Sequence, residues 1–389
     1  MHALVLILAG AIGVIGSNSL VLSPIAAAVA QSFDGVSAVD IMIASAFYGA
    51  GVAINAFALA PLIDRLGALR CLILSLSLLS ASLCASALAT GIVALTAAQF
   101  VAGLAAGVAL PATYTLASRV APGGRESEVM GYVLTGWTLS MVAGVSGATL
   151  LAEVVGWRGV YLALTTLTLL VAASLLLGRP PRDADARTSS LSVADTPGPI
   201  AALAINGVAI ALTACAAYMI AFYGLYAYVG THAANELGLE PSLIGLVTMA
   251  YGVGFGLAAP IDRVIDRLGA GRVTLPVFAT LAATYVSLGL GSMSLVVLIA
   301  LSFAWGLINH LGLNIILVRL GRLAPDRRGA VMGLYSCVTY LTVFGGTLLY
   351  RPVYEWGGLR ACALVSACCV LAAVAIQIAS NARTTDAHE

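Results

Sequence analysis

Lysine is missing altogether: all 18 basic side chains among the 389 residues are arginine. Without lysine there is no phosphate-binding loop ending in Gly-Lys-Ser/Thr, so this chain does not itself hydrolyse ATP. Charge of either sign is scarce, at 9% of residues against 61% hydrophobic, with a mean hydropathy of +1.03. A soluble globular domain carries about 25% charged residues. The seven cysteines (Cys71, Cys84, Cys215, Cys337, Cys362, Cys368, Cys369) lie inside apolar runs, with no C-x-x-C and no Cys/His cluster. They read as small packing residues, neither disulfides nor ligands, and no metal or cofactor is expected. There is no H-E-x-x-H, and no pair of deep aspartates that an intramembrane hydrolase would need, so an enzyme is not expected. The net charge of +1 singles out no charged partner, and nucleic acid is not expected as one. Met1-His2 leads straight into the first apolar run, so no removable signal peptide is expected.

What the chain has instead is long apolar runs. A helix needs about 20 residues to cross a bilayer, and the runs bounded by charge, Pro or Gly suggest about twelve crossings. They cover roughly 3–30, 40–62, 71–90, 92–118, 129–155, 158–178, 199–230, 241–261, 273–291, 294–318, 330–354 and 359–380. The fold class is therefore an all-α polytopic membrane protein. Between the sixth and seventh runs lies a segment rich in Arg, Asp, Ser and Pro. It divides the chain into residues 1–178, a cytoplasmic linker 179–198, and residues 199–389. Fifteen arginines fall in the loops after even-numbered runs and in the C-terminal tail, against three (Arg158, Arg351, Arg360) on the other side. The excess of basic residues sets both termini in the cytoplasm.

The two halves echo one another. Asp64-Arg65-Leu66-Gly67 returns as Asp266-Arg267-Leu268-Gly269, Val129-Met130-Gly131 as Val331-Met332-Gly333, and Gly156 with Arg158 as Gly358 with Arg360, all 202 residues apart. With one residue of slippage, Arg119, Ala121 and Pro122 match Arg322, Ala324 and Pro325. Three echoes in register and a fourth one residue out describe one six-helix unit written twice. Six crossings return the chain to its starting side, so the halves are related by an axis along the membrane normal. Gly103/Gly107 and Gly252/Gly256 have the G-x-x-x-G spacing of close helix packing.

These residues resemble the major facilitator superfamily over essentially the whole chain, most nearly its twelve-helix drug:proton antiporter and sugar-efflux branch. The family's loop motif G-x-L-x-D-R-x-G-R is matched by Leu62, Asp64, Arg65 and Gly67, with Ala60 in place of the first glycine and Arg70 nearest the later basic position. Gly136 to Gly147, followed by Gly156-Trp157-Arg158, resembles the exporter pattern of the fifth span. The resemblance implies two pseudo-symmetric six-helix bundles and a monomeric secondary transporter in the bacterial inner membrane. It would work by rocker-switch alternating access, with a small-molecule substrate and the lipid bilayer as partners and protons as a candidate coupling ion. It also implies a gating clasp of Asp64, Arg65, Arg70 and Arg119, echoed by Asp266 and Arg267. A carboxylate there would sit against the positive end of a helix.

The departures bear on coupling. The acidic residue that the branch carries in span 1 is replaced by Gly16-Ser17-Asn18-Ser19, the span-4 arginine by Gln99, and the span-5 proline is absent from Gly144-Val145-Ser146-Gly147. Every Asp, Glu and Arg lies in a loop or near a span end, so the midplane lacks the ionisable groups that usually carry protons. His310 is the titratable group left at depth, four residues before Asn314 on one helical face. It stands as a substrate contact, a proton-coupling candidate or a packed core histidine.

By the resemblance, spans 1, 4, 7 and 10 line the substrate cavity, with 2, 5, 8 and 11 contributing. Their polar and aromatic residues are Asn18, Asn55, Gln99, Tyr114, Tyr223, Tyr226, Tyr251, Asn309, His310, Asn314 and Tyr335, with Ser19, Trp137 and Tyr340 beside them. Amides, hydroxyls and rings suit a neutral or weakly charged substrate, a sugar-like metabolite or an amphipathic drug. Two alternatives stand beside this exporter: a proton-driven multidrug antiporter, and a transporter-derived sensor that binds its ligand without moving it.

Overall fold

The computed structural model describes residues 2–58, 66–121, 126–178, 203–258, 261, 270–323 and 328–386. Among them the long regular elements are all helical: α1 (His2–Ala30), α2 (Ala38–Ala58), α3 (Ala68–Ala87), α4 (Ile92–Val120), α5 (Glu126–Leu139), a π-helical segment (Ser140–Val145), α6 (Ser146–Leu177), α7 (Val208–Asn235), α8 (Pro241–Leu257), α9 (Ala270–Gly291), α10 (Leu295–Leu323) and α11 (Arg328–Asp386). Nine stretches among the described residues are long and apolar enough to cross a membrane, and α8 is a shorter apolar helix.

Two of those stretches, Val129–Leu177 and Val331–Ile376, run to 49 and 46 residues. At 1.5 Å per residue a straight helix of that length would reach about 70 Å, more than twice the hydrocarbon core. Neither is straight. α6 breaks at Gly156 (φ 75°, ψ 168°) and α11 at Gly357 and Gly358 (φ 60°, ψ −159° at the latter). Only glycine takes such angles readily. The breaks at Gly156 and Gly358 are 202 residues apart, the period of the sequence echo.

The seventh helix begins later than its apolar run suggests. Leu203 to Gly207 form turns, with the Asn206-Gly207 pair ending them, and α7 starts at Val208 rather than near 199. A second difference lies in the fifth span. Where the exporter pattern has a proline, the chain widens into the π-helical turn Ser140–Val145. Such turns interrupt the helical ladder much as a proline does.

The described residues gather into two units. The first comprises Met1–Val193 with Leu239–Met249, the second Ala194–Gly238 with Ala250–Glu389. Each is held by a helix crossing that leaves no room for side chains. In the first, Gly51 lies on the Phe100 carbonyl, Gly103 on that of Tyr48 and Gly107 on that of Val52, which locks α2 to α4. In the second, Gly254 lies on the Phe303 carbonyl and Gly306 on that of Tyr251, which locks α8 to α10. Small residues allow this approach where lipid gives helices no hydrophobic reason to associate. Gly254 stands on α8 between the Gly252 and Gly256 of the expected motif.

Candidate functional site

In the first unit the polar residues of the apolar helices find each other. Asn18 on α1 donates its amide to Gln99 Oε1 on α4 at 3.2 Å, and Gln99 Nε2 donates to Ser86 Oγ near the end of α3 at 3.0 Å. Gln99 is fully buried and Asn18 nearly so, at 0% and 2% exposure. The pair ties three helices together at a depth where an unpaired amide would cost about 1–3 kcal/mol. Asn55 on α2 donates to the Leu104 carbonyl at 2.9 Å, beside the α2–α4 crossing. Tyr114 on α4 accepts the indole N–H of Trp137 on α5 at 3.2 Å. Asn55, Tyr114 and Trp137 are half-buried, so each keeps a face outside the packing.

The second unit centres on Asn309 of α10. The hydroxyl of Tyr218 on α7 donates to Asn309 through both its backbone carbonyl and its side-chain Oδ1, and Asn309 Nδ2 donates to the Tyr251 hydroxyl on α8 at 2.7 Å. All three residues are 4% exposed or less. Around this chain of bonds stands an aromatic cluster. Phe222 stacks on Tyr251 with ring centroids 5.4 Å apart, Tyr251 meets Trp305 edge-on at 4.8 Å, and Tyr226 lies 5.6 Å from Phe222. Such offset and edge-on pairs are each worth about 0.5–1.5 kcal/mol beyond their burial.

Tyr223, His310, Asn314 and Tyr335 differ from that core in being half-buried. Tyr223 touches the cluster through Phe222, with centroids 4.8 Å apart, and the His310 ring meets Phe255 edge-on at 4.7 Å. Asn314 follows one turn beyond His310, and Tyr335 stands on α11.

The eleven substrate candidates therefore fall into two groups. Asn18, Gln99, Tyr226, Tyr251 and Asn309 are buried and bonded or stacked within their own unit. Asn55, Tyr114, Tyr223, His310, Asn314 and Tyr335 retain exposure. Tyr218, Phe222, Phe255 and Ser86 were not anticipated from sequence. Tyr218, Phe222 and Tyr226 recur every fourth residue on one face of α7, a stripe that points to them.

Of the gating candidates, Arg70 is exposed in the first turn of α3 and Arg119 half-buried in the last turn of α4. Asp64, Arg65, Asp266 and Arg267 lie outside the described residues. At the Gly156 break, Arg158 donates to the Ala89 carbonyl at 3.0 Å with its guanidinium 4.4 Å from the Trp157 ring, and Trp157 Nε1 donates to Ser32 Oγ at 2.8 Å. The glycine turn is thereby fastened to the neighbouring helix ends.

The sequence profile described as Major Facilitator Superfamily matches residues 6–347. The chain belongs to that family. Members of the superfamily are transporters rather than enzymes, and this one is a multi-pass membrane transporter. The chain is 28% identical to the "Uncharacterized MFS-type transporter YwfA" of Bacillus subtilis (strain 168) over 354 residues, 90% of this chain and 85% of that one. It is 26% identical over 251 residues to a "Probable sugar efflux transporter" of Pasteurella multocida (strain Pm70), covering 64% of this chain and 60% of that relative. In fold it is similar to the crystal structure of a D-xylose-proton symporter, with a TM-score of 0.78 over 96% of this chain and 97% of that one, at 15% identity.

Proposed function

We propose that this superfamily member is a secondary exporter of a small neutral or amphipathic molecule, a sugar-like metabolite before a drug. It works as a monomer by alternating access in the bacterial inner membrane. The breaks at Gly156 and Gly358 let the stretches Val129–Leu177, which joins α5, the π-helical turn and α6, and Val331–Ile376 in α11 each count as two passes. Twelve crossings then divide into bundles at residues 1–178 and 199–389, joined by the linker 179–198, with both termini cytoplasmic as the arginine distribution requires.

One observation carries the choice of substrate class. The half-exposed side chains Tyr223, His310, Asn314 and Tyr335, with Asn55 and Tyr114 in the first unit, offer hydroxyls, amides, an imidazole and rings, but no carboxylate, lysine or arginine. Such a set binds neutral hydroxyls and apolar faces; these six side chains offer a fixed charge on the ligand no counter-charge. The name carried by the Pasteurella relative agrees with export of sugars. The superfamily's gating clasp falls on Asp64, Arg65, Arg70 and Arg119, with Asp266 and Arg267 as its echo. His310 is the candidate for any proton that moves.

The aromatic cluster of Phe222, Tyr226, Tyr251 and Trp305 favours the second reading, a multidrug antiporter whose substrate is a flat amphipathic cation. A thermal-shift panel on the purified protein decides between them, because a ligand that binds only the folded state stabilises it by RT ln(1 + [L]/Kd). Stabilisation by neutral sugars or polyols supports the first reading. Stabilisation confined to lipophilic cations overturns it in favour of the second. A ligand that stabilises the protein yet is not transported in proteoliposomes would make it a sensor.

A further inference from the structure

Glu153 and Glu355 are partners in the repeat, 202 residues apart, each a few residues before its glycine break. The structure uses them differently. Glu355 pairs with Arg351 one turn back on its own helix at 2.9 Å. Glu153 has Thr149 and Trp157 at the corresponding positions, and its carboxylate reaches another helix. Its Oε1 accepts the backbone N–H of Ser242 at 2.6 Å, in the first turn of α8.

That contact is the end tooth of a short zipper. One turn deeper, Gly245 faces the Thr149 side chain with no space for a Cβ, and Ser146 Oγ donates to the Gly245 carbonyl at 3.1 Å. Leu239–Met249, the stretch so held, belongs to the first unit, whereas α8 from Ala250 onward belongs to the second. The lower teeth are neutral and insensitive to pH. The end tooth is a carboxylate on an exposed position of α6, where solvent protons reach it.

The charged and titratable groups on the surrounding elements do not replace it. Arg158 on α6 is turned to the Ala89 carbonyl and the Trp157 ring. Asp34 in the turn after α1 and Glu240 just ahead of α8 are both acidic and exposed. No basic group among these answers Glu153.

We propose that Glu153 is an acid-sensitive latch. Ionised, it pins the first turn of α8 to α6; protonated, it loses the charge that makes the bond strong and releases that turn. This rests on the proposed topology, which puts the Gly156 turn on the outer face, so that acidity outside the cell sets how firmly this end of the transporter is held. It is a regulatory proton rather than a transported one, because Glu153 stands at the end of its span and, among the described residues, no carboxylate lies in the middle of a span to receive the proton.

Hydrogen exchange of the full-length protein in detergent tests this without any substrate, comparing backbone amides of residues 243–249 in four variants. A charge-assisted bond is roughly twice as strong as a neutral one. Glu153→Gln should therefore exchange about three- to tenfold faster than wild type at neutral pH. Wild type, corrected for intrinsic exchange, should converge on that rate as the pH falls. Ser242→Pro removes the donor within the first turn, where the helix itself makes no use of that N–H. It should match Glu153→Gln and abolish the pH response, with the double variant no faster than either alone. Glu355→Gln should leave these amides unchanged. Equal protection in wild type and Glu153→Gln, or a ratio that does not change with pH, overturns the latch. Transport of a sugar in a protein lacking the latch would leave the proposed function standing; an intact latch in a protein that moves nothing would remove only that function.

Discussion

Gly306 lies directly on the backbone carbonyl of Tyr251. Gly103 lies in the same way on the carbonyl of Tyr48, 203 residues earlier, and Gly254 and Gly51 repeat the correspondence from the opposite helix. The sequence echoes thus have a physical counterpart: each unit is built on the same close crossing of its second and fourth helices. Because the facing atoms are backbone, neither side can yield by a rotamer change.

Alanine at these positions is the first prediction. Gly306→Ala and Gly103→Ala should each destabilise the protein by about 1–3 kcal/mol through overpacking. Gly131 and Gly333 form another repeat pair, but there a Cβ meets nothing within 4 Å. Alanine in those helices should be neutral or stabilising by up to about 1 kcal/mol. Thermal unfolding of the four variants in one detergent checks the contrast.

The two polar hubs should behave as struts. Gln99→Ala strands the buried Asn18 amide and should cost about 1–3 kcal/mol. Asn309→Ala strands the Tyr251 hydroxyl oxygen, while Tyr218 keeps its bond to the backbone carbonyl at 309, and should cost about 1–3 kcal/mol. Tyr218→Phe leaves Asn309 bonded to Tyr251 and should cost only about 1 kcal/mol. Unfolding midpoints rank the three, and Tyr218→Phe is expected to cost least.

The half-exposed residues should show the opposite signature. Tyr223→Ala, Asn314→Ala and Tyr335→Ala should leave the unfolding midpoint within a few degrees of wild type while weakening ligand-induced stabilisation about tenfold or more in Kd. Titration of each variant with the best ligand from the thermal-shift panel measures this.

A clasp predicts a kinetic lesion without a folding one. Asp64→Asn should lower the transport rate at least several-fold while the amount of protein in the membrane is unchanged. Flux normalised to membrane protein checks it, and wild-type flux would remove Asp64 from the gate.

Much of the architecture was legible because its determinants are local or periodic. The apolar runs, the offset between Gly156 and Gly358, and the small residues of α4 are read directly from spacing. Partnerships were less legible. Asn18 and Gln99 stand out as amides in apolar helices, but nothing local says that they bond to each other across 81 residues of chain. Tyr218 was hidden in a helix already rich in aromatics, and its importance comes from a partner 91 residues away. The missing proline of the fifth span read as a departure from the family, yet the chain interrupts its helix there by a π turn instead. Glu153 looked like an ordinary span-end carboxylate because the atom it binds is a backbone N–H, which every sequence position shares.

The central claim is that a neutral solute is carried by a site without fixed charge. Solute counterflow in proteoliposomes tests it most directly, using the best neutral ligand and no imposed proton gradient. The account predicts that labelled ligand accumulates transiently against unlabelled ligand at equal pH on both sides, and that Tyr223→Ala and Asn314→Ala abolish the accumulation. Transport that occurs only with a proton gradient, with fixed stoichiometry, and that survives His310→Ala would contradict it.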